Sequence, residues 1–232
     1  MDNLVRIRGL TKHYQRGTEK IEALHGITIE IPRGDFVALM GPSGSGKTTL
    51  LNLIGGLDRP SAGELEIDGK RIDQLGNSEL ASWRASHVGF IFQFYNLLPM
   101  LSAQRNVELP LLLTNLSASQ RKKNAAIALE LVGLKDRANH KPKELSGGQE
   151  QRVAIARAIV NQPDVIIADE PTGNLDSNTG EAVERMLFEL NRDQGITLVI
   201  VTHDPDLAKQ CGRIIEMKDG KIVAEHKGEV AR

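Results

Sequence analysis

Gly41-Pro42-Ser43-Gly44-Ser45-Gly46-Lys47-Thr48-Thr49 is a turn of glycines, hydroxyls and one lysine with the spacing G-x-x-x-x-G-K-[ST]. Upstream lies a continuous apolar run, Phe36-Val37-Ala38-Leu39-Met40, as expected of a strand buried on both faces. Downstream, a helix should start near Gly46 and run through Leu50, Leu51 and Ile54. Glycines let backbone N–H groups converge on an anion with no Cβ in the way. The helix N-terminus adds unpaired donors and the positive end of its dipole. Such a cradle suits nucleotide phosphates, with the Lys47 ammonium on the β- and γ-phosphates and the Thr48 hydroxyl able to ligate Mg²⁺. The spacing alone arises by chance in roughly 1 in 100 chains of this length, and the strand–loop–helix context makes coincidence rarer still.

Strand signals flank the cradle. Val5 and Ile7 alternate with polar residues, as do Ile27, Ile29 and Ile31. Glu64–Ile67, Asp68-Gly69 and Lys70–Ile72 predict a hairpin with a type I′ turn. From about Ser102 to Gln162 helix formers dominate, for example Ala125-Ala126-Ile127-Ala128-Leu129-Glu130-Leu131. Strands return at Val165–Ala168, Leu198–Val201 and Arg213–Glu216, with a helix from Ser177 as N-cap to about Arg192 and a closing hairpin turning at Asp219-Gly220. The expectation is an α/β fold: a P-loop NTPase core with an N-terminal antiparallel β subdomain and an inserted α-helical subdomain. The sheet-bearing core should occupy about 1–92 and 163–232, and the insertion about 93–162.

Two further stretches carry chemistry. Val165-Ile166-Ile167-Ala168-Asp169-Glu170 is an apolar strand ending in two acids. Asp169 can hold the Mg²⁺ shell and Glu170 can orient and deprotonate a water; alternatively the acids merely begin a solvated turn. Leu145-Ser146-Gly147-Gly148-Gln149 opens a helix with Ser146 as N-cap. Its glycines can admit an anion to the backbone donors, although a simple cap explains Ser146 equally well.

Through these motifs the chain resembles the ABC ATPases along essentially its whole length. Leu145–Gln149 matches that family's signature letter for letter, Gln93 after Phe90-Ile91-Phe92 matches the Q-loop glutamine, and Pro171-Thr172-Gly173-Asn174-Leu175-Asp176 matches the D-loop. His203 in Val201-Thr202-His203-Asp204 matches the switch histidine, and Tyr14 in Leu10-Thr11-Lys12-His13-Tyr14 matches the aromatic that stacks on adenine. The resemblance implies an ATPase with ATP and Mg²⁺ as cofactors. Lys47, Thr48, Asp169, Gln93 and His203 would hold the phosphates and metal in one subunit. Ser146 and Gly148 would reach the γ-phosphate bound by the other, with Gly147, Gln149 and Asp176 beside them, so that two ATP molecules hold a head-to-tail dimer. The second cassette would be an identical chain or a homologue.

Within that family the stretches Val88–Pro99, Asn106-Val107-Glu108-Leu109-Pro110 and Ala168–Asp176 resemble the macrolide-efflux and lipoprotein-release (MacB/LolD-like) branch. The resemblance implies a separate permease with four transmembrane helices, and a periplasmic adaptor reached through it. It places the chain in the cytoplasm, peripheral on the inner face of the cell membrane, powering export, extraction or mechanotransmission. A regulatory or tethering ATPase without net transport shares every motif and stands as the alternative. The apolar Phe94-Tyr95-Asn96-Leu97-Leu98-Pro99-Met100-Leu101 reads either as the groove for a permease helix or as packing between lobes.

Composition bounds these readings. A formal net charge of −1 gives no reason to expect a nucleic-acid partner, and the run Arg121-Lys122-Lys123 reads as a solvated helix face. A DNA- or ribosome-acting soluble ATPase would show a coiled-coil insertion or a second cassette, and neither is seen. One cysteine, Cys211, excludes an internal disulfide and should be buried. Met1-Asp2-Asn3-Leu4 has no signal-peptide pattern, and no apolar run approaches the roughly 20 residues that cross a bilayer.

Overall fold

A computed structural model describes residues 2–229. Contacts divide the chain into two compact units, Met1–Ala81 with Gly195–Arg232, and Ser82–Gln194.

In the first unit, β1 (Asn3–Arg16) and β2 (Glu19–Pro32) form a long antiparallel ribbon. β4 (Ala62–Ile67) pairs with the other side of β1, and β5 (Lys70–Arg71) with β4. Alternation turns Val5, Ile7, Ile27, Ile31, Leu65 and Ile67 into one buried face. The β4–β5 turn has Asp68 at φ 51° and Gly69 at φ 72°, the left-handed pair a type I′ turn needs. The second strand stops at Arg71, one residue short of the expected Ile72, which starts a 3-10 turn.

The same unit holds the parallel strands. β3 (Phe36–Met40) lies between β8 (Thr197–Val201) and β9 (Arg213–Lys218), parallel to both, and β10 (Lys221–Lys227) returns antiparallel to β9. Every residue of β8 is buried, which matches its uninterrupted Thr-Leu-Val-Ile-Val. α1 (Lys47–Ile54) follows β3 directly, and α7 (Pro205–Gln210) follows β8. Cys211, just beyond α7, is buried as expected.

The division falls inside α2 (Asn77–His87). In the second unit β6 (Val88–Phe92) pairs in parallel with β7 (Val165–Asp169), from Val88 opposite Val165 to Phe92 opposite Asp169. The helix-rich span includes α3 (Ala103–Glu108), α4 (Ala118–Leu131) and α5 (Gly147–Ile159), packed through Ala103, Val107, Ala125, Leu129, Val153 and Ala156. A Cβ on Gly89 of β6 would lie 2.5 Å from the Ala158 carbonyl oxygen, so that glycine sets how closely α5 approaches the strand. α6 (Ser177–Gln194) completes the unit. Its N-cap is Asp176, not Ser177: the Asp176 carboxylate accepts from the Thr179 N–H at 3.1 Å, because an Asx side chain reaches the N3 donor from the residue before the first turn. Among the described residues no helix is long and apolar enough to cross a membrane.

Asn106 organises the chain before α3. Fully buried, its side-chain oxygen accepts from the Leu98 N–H at 2.7 Å, and its amide donates to the carbonyls of Leu98, Leu101 and Ser102 at 3.1–3.3 Å. Asn106→Ala strands those groups without water, so it should lower unfolding stability by about 2–3 kcal/mol. Guanidinium titration of variant and parent would measure it, and a loss under about 1 kcal/mol would contradict the staple.

Candidate active site

The candidate residues fall into two sets, one per unit. The first unit holds Tyr14, the cradle Gly41–Thr49 and His203; the second holds Gln93, Ser146–Gln149, Asp169, Glu170 and Asp176.

The cradle turns sharply because three of its glycines have positive φ: Gly41 at 143°, Gly44 at 78° and Gly46 at 97°. Two also press against neighbouring backbone. A Cβ on Gly41 would lie 2.0 Å from the Met217 carbonyl oxygen, and one on Gly46 2.8 Å from that of Ala23. The loop is held from outside by Gly220, whose N–H donates to the Ser45 carbonyl at 3.1 Å while its own carbonyl accepts from the His25 N–H at 2.9 Å. A Cβ on Gly220 would meet His25 at 2.5 Å and the Ala23 carbonyl at 2.7 Å. In sequence Gly220 is only a turn residue; nothing in a hairpin pattern signals that it also buttresses the cradle.

Lys47, only 6% exposed, donates to the carbonyls of Gly41 at 2.8 Å and Pro42 at 2.9 Å. Ser45 Oγ is buried with no hydrogen-bond partner among the described residues. A buried ammonium resting on loop carbonyls, an orphaned hydroxyl and a helix N-terminus together fit a phosphate chain. Thr48, next in the chain, adds a hydroxyl oxygen, a donor of the kind that suits Mg²⁺.

Tyr14 is 39% exposed and its hydroxyl donates to Asp58 Oδ2 at 2.9 Å. Lys12 Nζ lies 4.8 Å from the centre of the same ring and donates to Asp58 Oδ1 at 2.6 Å and the Arg59 carbonyl at 2.8 Å. Burial raises the Tyr14 phenol above its usual range, and the bond to Asp58 adds to it. Burial would raise Asp58 too, but the bonds from Lys12, the Arg59 N–H and Tyr14 outweigh it and hold the carboxyl low. The ring is thus fixed edge-on by one carboxylate and backed by a cation. Lys12 and Asp58 meet across forty-six positions of sequence, a pairing that no local pattern signals.

His203 is exposed just past β8, on a short connection pinned at both sides. The buried Thr202 hydroxyl accepts from the Asp204 N–H at 3.0 Å, and Asp204 caps α7 through the N–H groups of Asp206 and Leu207.

In the second unit Asp169 ends β7 and Glu170 follows with φ 46°, left-handed for a residue with a side chain. That conformation costs about 1–2 kcal/mol and aims Glu170 into the turn after the strand. Gly173, whose N–H donates to the Glu170 carbonyl at 3.1 Å, gathers two candidates: its Cβ position lies 3.3 Å from Glu170 Oε2 and 3.1 Å from Gln93 Nε2. Asn174 ties the group, its amide donating to the Gln93 carbonyl at 2.9 Å. The structure therefore brings Gln93 and Glu170 together on the turn at 173–174.

Ser146 caps α5 in a capping box, its hydroxyl accepting from the Gln149 N–H at 3.4 Å and its own N–H donating to Gln149 Oε1 at 3.0 Å. A Cβ on Gly148 would strike Thr179 at 2.2 Å, and one on Gly147 would approach the Tyr95 hydroxyl at 3.0 Å. These glycines thus let α5 abut α6 and the chain after Gln93. Arg157, on the same helix, donates to the carbonyls of Tyr95 and Asn96 at 2.7 and 2.6 Å. No local pattern marks this arginine.

A glycine phosphate cradle, a strand-end acid pair and a capped Ser-Gly-Gly-Gln helix define a P-loop nucleotide hydrolase. The chain belongs to the ABC transporter family, whose model matches residues 24–173, and it is an ATP-binding, ATP-hydrolysing cassette. It is 48% identical to the uncharacterized ABC transporter ATP-binding protein YknY of Bacillus subtilis, covering 97% of this chain and 98% of that one. It is 47% identical to the macrolide export ATP-binding/permease protein MacB of Bdellovibrio bacteriovorus over 97% of this chain but 34% of that protein, about a third of its length. Among solved structures, the dimeric ABC transporter cassette MJ0796 superposes with a TM-score of 0.89 at 47% identity, covering 98% of this chain and all of that one; the protein of that name comes from Methanocaldococcus jannaschii.

Gly173→Ala should displace both Gln93 and Glu170 by a few tenths of an ångström. ATP turnover should fall roughly tenfold while unfolding stability changes by less than about 1 kcal/mol. Unaltered turnover would show that the positions of these two side chains at Gly173 do not matter.

Proposed function

We propose that two copies of this chain, or this chain and a homologous cassette, close head to tail on two ATP molecules, and that their hydrolysis drives a membrane permease carried on a separate polypeptide. The observation that carries the nucleotide part of this reading is the cradle, with its Ser45 hydroxyl unpartnered among the described residues and its lysine resting on loop carbonyls.

ATP binding recruits Lys47 from those carbonyls to the terminal phosphates, which take the backbone donors of the loop and α1. The adenine stacks on Tyr14, whose orientation Lys12 and Asp58 have already set. Thr48, Gln93 and Asp169 are the oxygen donors that would hold Mg²⁺, which when bound neutralises charge on the transferring phosphoryl group. Glu170 orients the attacking water and takes its proton as the water oxygen bonds to the γ-phosphorus and ADP leaves. His203 contacts the same phosphate. Ser146 and Gly148 of the partner subunit complete the shell, with Asp176 and Gln149 at the shared face.

Support for two copies comes from MJ0796, solved as a dimer and in a post-hydrolysis dimeric state with ADP and Pi. Support for a permease comes from MacB, named as an ATP-binding/permease protein. Phe94 is 74% exposed and Met100 66%, beside the Asn106 staple in the helical segment 93–162, and they suit a permease helix. We place the chain on the inner face of the membrane, with a MacB-like permease of four helices and a periplasmic adaptor beyond it.

Glu170→Gln should keep ATP binding and lower hydrolysis roughly 10²–10⁴-fold; more than about a tenth of parental activity would remove it as the base. Lys47→Ala should weaken binding of a fluorescent ATP analogue and abolish turnover, and unchanged affinity and rate would contradict the cradle.

Assembly is tested in the Glu170→Gln background, where hydrolysis cannot mask dimer formation. Light scattering should show that protein moving from monomer towards dimer on adding Mg-ATP. Adding Ser146→Arg should leave it monomeric while it still binds nucleotide. A dimer of normal strength in the double variant would leave Ser146 as a helix cap alone.

A further inference from the structure

Away from every residue assigned to nucleotide chemistry, the second unit contains a cavity of about 550 Å³. That volume falls in the range of small-molecule sites. Its floor is apolar, built from Leu111, Ala128, Ile159 and Val160, each at most 8% exposed. At its mouth the α4 side chains Ile127 and Leu131, one helical turn apart, are 48% and 58% exposed.

The rest of the lining is made mostly of carboxamides, and none of the lining residues is ionisable. Some amides serve the fold: Asn161 donates to the Ala85 carbonyl at 2.7 Å, and Gln120 accepts from the Ser117 N–H at 2.8 Å. The side chains of Asn115, Asn124, Gln162 and Gln194, by contrast, have no hydrogen-bond partner among the described residues. Gln162 stands at the rim with φ 51°.

We infer that this cavity is a binding site for an uncharged amphiphile, an alkyl or ring body with a hydroxyl-rich head such as a neutral glycoside. The apolar floor and the exposed Ile127 and Leu131 take the body, since burying such surface is the main gain on binding. Carboxamides, which both donate and accept, match hydroxyl groups pair by pair. A charged head would lose hydration here and meet no opposite charge in return. Ile159 closes the helix that opens beside Ser146, so a ligand in the cavity bears on the far end of the signature helix, about 20 Å along its axis.

The test uses the full chain and three probes of equal tail length below their micelle concentrations: octyl β-glucoside, octyl sulfate and octyltrimethylammonium. The glucoside should bind saturably at one site by calorimetry, shift the methyl signals of Ile127, Leu131 and Ile159, and bind at least tenfold more tightly than either ion. Ala128→Phe, which fills the floor, should weaken it at least tenfold with basal ATPase unchanged. Should that variant fail to fold, Asn124→Lys serves instead: a cation on the rim should weaken the glucoside and strengthen octyl sulfate. Equal binding of all three probes, shifts confined to other methyls, or glucoside affinity indifferent to a folded variant would each overturn the assignment.

Discussion

Everything in the first unit answers to one constraint, the need to aim bare backbone N–H groups at an anion. A loop can do so only where the chain enters left-handed conformations and no Cβ intrudes. Gly41 and Gly46 meet this while pressed against the carbonyls of Met217 and Ala23, and Gly220 ties the loop from outside. The Met217 carbonyl projects from β9, which pairs with β3, and the Ala23 carbonyl from β2 of the antiparallel ribbon, so the burial that fixes Phe36–Leu39 and β9 in the parallel sheet and the pairing that fixes β2 together set the cradle's geometry.

The second unit is organised by close approach between helices and turns. Gly148 lets α5 abut Thr179 of α6, Gly89 lets β6 lie against α5, and Arg157 ties α5 to the chain after Gln93. Glu170 holds a left-handed backbone at the strand end, a cost the buried Val165–Ala168 segment readily offsets. Gln93, Gly173 and Ser146, far apart in sequence, thus share one packed body.

Sequence disclosed whatever is written in contiguous letters. The cradle, the apolar strands, the Asp68-Gly69 and Asp219-Gly220 turns and the Ser146 cap were legible because short-range sterics and periodicity specify them. The Asp176 cap was misplaced by one residue, since Asp and Ser both cap and adjacent positions compete. Asn106, Gly220, Lys12 and Arg157 stay hidden for another reason: each acts on at least one partner eight or more positions away, which no local pattern encodes.

The Asn106 staple has a consequence for recognition. Exposed Phe94 and Met100 lie in a stretch, 94–101, whose backbone at Leu98 and Leu101 is already fastened, so part of the entropy that an unfastened loop would surrender on docking has been lost during folding. Burial of these two side chains can then go more fully into affinity, and a partner would meet a preformed template rather than a segment it must first mould.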